Sequence, residues 1–130
     1  MKKIVFFLIL VSLISGCKKQ EFEPEGPTDV RVKNLSTVDW TNVIVNTSGG
    51  EHNLGNIPQQ SLSEYVRFDK AYPFAEIKAT INGQLYSTGP VNYFGQTYMG
   101  QMKITYEVYI KSDASKLLEI SETIPEAPLD

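Results

Sequence analysis

Residues 75–88 read Ala75-Glu76-Ile77-Lys78-Ala79-Thr80-Ile81-Asn82-Gly83-Gln84-Leu85-Tyr86-Ser87-Thr88, and this stretch decides the fold class. Ala75, Ile77, Ala79 and Ile81 alternate with Glu76, Lys78, Thr80 and Asn82, the period of two that turns one strand face to a core and the other to water. Asn82-Gly83 is the favoured two-residue type I′ turn, because both positions need positive φ. It predicts that residues 84–88 fold back on residues 75–82 as an antiparallel hairpin.

Working outward, a second alternation sets Met102, Ile104, Tyr106, Val108 and Ile110 against Lys103, Thr105, Glu107, Tyr109 and Lys111, long enough for a central strand. Weaker strand patterns cover residues 30–34, 42–47, 51–57, 62–69 and 116–122, with Ser48-Gly49-Gly50 as a turn between two of them. No useful helical period is present. The reading is all-β: a single antiparallel β-sandwich of seven or eight short strands over residues 29–122. Trp40 is placed in its core. Residues 123–130, with Pro125 and Pro128, are expected to leave the sheet as a fraying tail.

Ahead of this domain, residues 1–17 run Met-Lys-Lys-Ile-Val-Phe-Phe-Leu-Ile-Leu-Val-Ser-Leu-Ile-Ser-Gly-Cys. Lys2 and Lys3 form a positive n-region, and the apolar run that follows is about eleven residues long, short of the roughly 17–25 that a spanning helix needs. Residues 1–16 are therefore expected to be a cleaved signal peptide. Ile14-Ser15-Gly16-Cys17 resembles the bacterial lipobox: an aliphatic residue, two small residues, then Cys. The resemblance implies lipid on the Cys17 thiol, cleavage after Gly16, and a chain tethered to a membrane. Residues 17–28, rich in Pro and Glu, read as a flexible tether. Lys18, directly after the cysteine, is not the Asp that retains enterobacterial lipoproteins at the inner membrane. The resemblance thus admits outer-membrane delivery, and Glu21-Phe22-Glu23-Pro24-Glu25 is similar to acidic signals that send some lipoproteins to the cell surface.

The strand order, with Val30-Arg31-Val32-Lys33-Asn34-Leu35-Ser36, Ile57-Pro58-Gln59-Gln60-Ser61-Leu62-Ser63-Glu64-Tyr65, the Asn82-Gly83 hairpin and Ile104-Thr105-Tyr106-Glu107-Val108, resembles small immunoglobulin-like or transthyretin-like sandwiches of bacterial lipoproteins. The Cys pair of immunoglobulin domains is absent, so the resemblance implies architecture and no activity.

Function classes follow from what the chain offers. A single Cys excludes an internal disulfide and any multi-Cys zinc site. Loss of Lys2 and Lys3 with the leader moves the formal charge from −3 to −5, and with no basic run nucleic acid is not an expected partner. His52 lacks a nearby His, Cys or nucleophile and reads as an exposed or edge-strand residue, so neither a metal nor a cofactor is expected. Glu64, Asp69, Glu76 and Glu107 are placed on neighbouring strands, where a carboxylate pair could hydrolyse a glycosidic bond, but alternating charges more often form a solvated sheet face. No catalytic residue is assigned.

One feature points to binding. Tyr93-Phe94-Gly95-Gln96-Thr97-Tyr98-Met99-Gly100 is an aromatic, Gly-flanked loop, suited to stacking on sugars or docking a protein. Tyr93, Phe94 and Tyr98 are the candidate binding residues; the competing reading has Tyr93, Phe94 and Met99 closing the end of the core. Tyr65, Tyr109 and Arg67 could add an exposed face. The expected role is a lipid-anchored, non-catalytic envelope module that contacts a glycan or protein partner. The alternatives are an accessory subunit that pairs through a strand edge and a carboxylate-dependent hydrolase.

Overall fold

The computed structural model describes residues 26–130. The leader, Cys17 and the tether up to residue 25 lie outside these residues. Eight strands follow in order: β1 (Thr28–Asn34), β2 (Thr41–Asn46), β3 (Glu51–Asn53), β4 (Val66–Phe68), β5 (Glu76–Ile81), β6 (Gln84–Ser87), β7 (Met102–Ser112) and β8 (Leu117–Pro128). They form one sheet in the order β3-β2-β5-β6-β8-β7-β1-β4.

The β5–β6 hairpin forms as the sequence predicts, with Ile81 opposite Gln84. Asn82 and Gly83 take φ of 51° and 76°, the left-handed values of a type I′ turn. Ile77, Ala79 and Ile81 are buried, while Glu76, Lys78 and Thr80 are half-exposed. β7 is central, flanked by β8 and β1. Its inner face supplies Ile104, Tyr106 and Val108 to a core that also holds Val30, Val32, Trp40, Val43, Val45, Phe68 and Ile77. Thr105 faces the other way and is buried too, because the Arg31 guanidinium donates to its hydroxyl at 2.9 Å and that hydroxyl donates to Glu126 at 2.9 Å.

The antiparallel sandwich expected from the sequence is corrected to a mixed sheet that curls almost into a barrel. β1 runs parallel to β7 from Asp29↔Lys103 to Asn34↔Val108, and β6 meets β8 in parallel at the single pair Ser87↔Leu117. Alternation along β1 shows which face is buried but carries nothing about the direction of a partner some 70 residues away. The two outermost strands approach each other at their ends. The Asp69 N–H donates to the Gly49 carbonyl at 3.0 Å, and the His52 ring stands edge-on to Phe68 at 4.7 Å. At this closure Gly49 lies so close to Lys70 that a Cβ would sit 2.5 Å from the Lys70 carbonyl oxygen.

The expected C-terminal tail is a second correction, since β8 continues through Pro125 to Pro128. The Leu35 N–H reaches the Val108 carbonyl at 2.9 Å, so the peptide groups of Val108, and by alternation those of Tyr106, Ile104 and Met102, face β1. Pro125 and Pro128 stand opposite Ile104 and Met102. Their ring nitrogens therefore point away from β7, on the open side of the strand, where no ladder bond is lost. Two other strands are shorter than predicted: residues 51–57 reduce to β3 plus a Trp40↔Ile57 bridge, and residues 62–69 to β4 plus a Lys33↔Leu62 bridge.

Candidate binding face around the 88–101 loop

After Ser87 the chain turns off the sheet. The Gly89 N–H donates to Ser87 Oγ at 2.9 Å in place of a further β8 carbonyl, and the Thr88 N–H bonds to the Ile77 carbonyl at 2.9 Å. β6 and β8 thus part company after one pair, and the chain crosses the open seam before rejoining the sheet at Met102.

Two arms hold this crossing down. On the first, Tyr93 packs on Tyr72 with ring centroids 4.6 Å apart and lies nearly parallel to Phe74, at 6.0 Å and 17°. Its hydroxyl donates to the Asn46 carbonyl at 3.0 Å. Burial, the largest influence, raises the Tyr93 pKa. On the second arm, Tyr98 sits 4.9 Å from Tyr72, and the Lys70 ammonium donates to its hydroxyl at 3.2 Å while lying 5.0 Å from its ring centre. The Met99 N–H donates to the Ala71 carbonyl at 2.8 Å, and the Met99 side chain packs on the core. Between the arms, the Phe94 N–H donates to Asn92 Oδ1 at 3.0 Å and the Gln96 N–H to the Tyr93 carbonyl at 3.0 Å, a turn that holds Phe94 at the tip. Phe94 is 91% exposed.

The two sequence readings of this loop therefore divide by residue. Tyr93 and Met99 fold over the end of the core, and Phe94, expected with them in that reading, points outward. Tyr98 is half-buried against Tyr72 and Lys70. Tyr65, Tyr109 and Arg67 stand elsewhere. Arg67 grips Asp29 at 2.8 and 3.2 Å, Arg31 lies 4.6 Å from the Tyr65 ring centre, and Tyr109 donates to Glu119.

Two depressions flank the crossing, and Pro90 and Val91 line both. One, of about 410 Å³, lies toward β8 and includes Phe74, Thr88, Leu118 and Ile120. The other, of about 390 Å³, is lined by Asn46, Ser48, Glu76 and Tyr93. Sequence reading did not bring Asn46, Ser48, Pro90 and Val91 together, since they meet only where the end of β2 faces the loop. The one sequence signal was the apolar pair Pro90-Val91 just ahead of Tyr93.

The carboxylates expected on neighbouring strands do not share them. β5, with Glu76, is separated from β7, with Glu107, by β6 and β8, and Glu64 and Asp69 lie outside strands. Glu107 pairs with Lys33 at 3.6 Å and Glu76 with Lys78 at 3.5 Å. His52 is exposed on the edge strand β3. Among the described residues no group of three or more His, Cys, Asp or Glu is placed to hold a metal ion.

With this geometry in view, one solved fold is comparable. It is an NMR structure of a protein from Eubacterium rectale, at a TM-score of 0.50 and 14% identity, covering 81% of this chain and 96% of that one. The likeness is one of fold: a small β-rich bacterial domain. No protein-family model and no curated protein matches the chain.

Proposed function

We propose that this protein is a lipid-anchored module of the bacterial cell envelope that binds a partner, glycan or protein, without catalysing a reaction. The leader and the Ile14-Ser15-Gly16-Cys17 sequence support anchoring through Cys17, with the membrane as the first partner. Two or three acyl chains, each buried methylene contributing about 0.8 kcal/mol, hold such a domain firmly at a bilayer. Lys18 after the cysteine supports the outer membrane as the address, and the acidic stretch that follows supports surface exposure.

The observation that carries the binding role is Phe94. Exposing nearly a whole phenyl ring costs hydrophobic free energy on folding, and here the ring is held out by a tip hydrogen-bonded at Asn92 and braced by Tyr93 and Tyr98 on their pinned arms. A rigid aromatic at the apex of a loop is the form of an interface anchor. Phe94→Ala tests it. The variant should melt within about 0.5 kcal/mol of the parent, as surface changes do. It should also lose most of its retention on delipidated envelope fragments from the producing cell, where the acyl chains have no bilayer to enter. Unchanged retention would remove the loop from the interface.

Strand-edge pairing is a second reading. Among the described residues no strand pairs with β8 beyond Leu117 on the side away from β7, β6 having turned away at Gly89 and only the Pro73 carbonyl reaching Thr123 there, which favours an incoming strand around Ile120. Pro125 and Pro128 close the rest of that edge.

A further inference from the structure

We infer that the two depressions either side of Pro90-Val91 form one binding groove for a neutral oligosaccharide, an assignment that rests on the binding role proposed above. Each depression is lined by one aromatic ring, Phe74 in the first and Tyr93 in the second, with centroids 6.0 Å apart and Tyr93 backed by Tyr72. An aromatic ring in each of two adjoining depressions suits apolar contact with successive pyranose units. The combined space, about 410 and about 390 Å³, falls within the usual range for small-molecule sites and admits more than a single sugar ring.

The polar groups fit hydroxyls. Asn46 spends its Oδ1 on the Ser48 N–H at 2.9 Å, which leaves the two N–H donors of its amide for the depression it lines. Glu76 holds Lys78 by one carboxylate oxygen at 3.5 Å and leaves the other as an acceptor, and the Ser48 hydroxyl can do either. A donor and an acceptor side by side match vicinal hydroxyls, each of which both gives and takes a hydrogen bond. Charge selects among sugars. Glu76 lines one depression and Glu119 the other, and each already holds a lysine, Lys78 at 3.5 Å and Lys111 at 3.6 Å. With its cations engaged, the groove offers a uronic or sulfated chain no compensating charge and suits neutral ones.

The test is calorimetric titration of the full-length protein, purified from membranes in detergent, with cellohexaose, maltohexaose, chitohexaose and an oligogalacturonate of the same length. At least one neutral hexasaccharide should bind, with the oligogalacturonate at least tenfold weaker. Asn46→Asp keeps the acceptor for Ser48 and removes the donors, and Glu76→Gln keeps the shape and removes the charge. Each should weaken binding about tenfold or more, while Leu85→Ala, at an exposed position on β6, should leave it unchanged. Binding that survives both groove substitutions, or that favours the uronate, overturns the inference. If none of the neutral sugars binds yet envelope retention still depends on Phe94, the inference fails and the binding role stands. If both are absent, both fall.

Discussion

Asn34 closes β1 at a position with no solvent exposure, and its side chain joins three segments. Its amide nitrogen donates to the carbonyls of Val38 at 2.8 Å, Ile57 at 3.1 Å and Pro58 at 3.3 Å. Its Oδ1 accepts from the Ser36 N–H at 2.9 Å and the Ser36 hydroxyl at 2.7 Å. Asn34→Ala removes all of these. The carbonyls keep other donors, Val38 from the Ser36 hydroxyl, Ile57 from Trp40 and Pro58 from Ser61, so of these groups the Ser36 N–H is the one orphaned. At about 1 kcal/mol net for each of the two amide N–H donors, plus part of the desolvation of the orphaned Ser36 N–H, the loss is about 2–3 kcal/mol. Asn34→Asp is the sharper probe. At neutral pH it points a carboxylate at three carbonyl oxygens, and an uncompensated buried charge costs about 3–5 kcal/mol. Those oxygens favour the protonated acid in the folded state, so its folded pKa lies above the unfolded value of about 3.9. The penalty therefore grows as pH rises from the unfolded pKa through the folded one, and shrinks on acidification. Urea unfolding followed by the fluorescence of Trp40, the sole tryptophan, reads this directly. With a urea m-value of about 1–3 kcal/mol per molar, Asn34→Ala should lower the midpoint by roughly 1–2 M. An Asn34→Asp variant as stable as Asn34→Ala at pH 7, or one that gains on the alanine variant as pH rises, would refute the placement of these groups.

Other expectations follow from the core and the turns. The Tyr106 hydroxyl donates to the Tyr72 carbonyl at 2.5 Å in the interior, so Tyr106→Phe should cost about 1–2 kcal/mol in the same assay. Burial, foremost, raises the Tyr106 pKa far above the ordinary value, so its stabilising contribution is complete below the unfolded pKa of about 10 and declines above it. Absorbance titration should show one phenol that ionises only on unfolding. Gly83→Ala should cost about 1 kcal/mol, because its added Cβ meets nothing and only the φ of 76° is strained. Gly49→Ala should cost more, since its Cβ would strike the Lys70 backbone and prise the barrel closure open.

How far the sequence reached depends on how local each signal is. The hairpin at residues 75–88 was legible because turn chemistry and alternation lie within one short segment, and β7 because its pattern is long. The parallel β1–β7 pair was not, since alternation in Val30 and Val32 is the same whichever way the neighbour runs. The place of Pro125 and Pro128 in the sheet is hidden for a related reason. Proline is tolerated on the open side of an edge strand, and the side it faces is fixed by hydrogen bonds from β1 to β7. In the site, Tyr93, Phe94 and Tyr98 look alike as sequence. What separates them is Tyr72, Phe74 and Lys70 beneath two of them and nothing beneath the third. Asn46 and Glu76 became neighbours of that loop only through the β2–β5 pairing, in which they stand opposite each other.

The anchoring at the centre of this account is open to one decisive measurement, mass spectrometry of the mature protein's N-terminal peptide isolated from the producing cell. The expected species begins at Cys17, with a diacylglyceryl group on the sulfur. A free thiol at Cys17, or a mature chain that begins at any other residue, would contradict it.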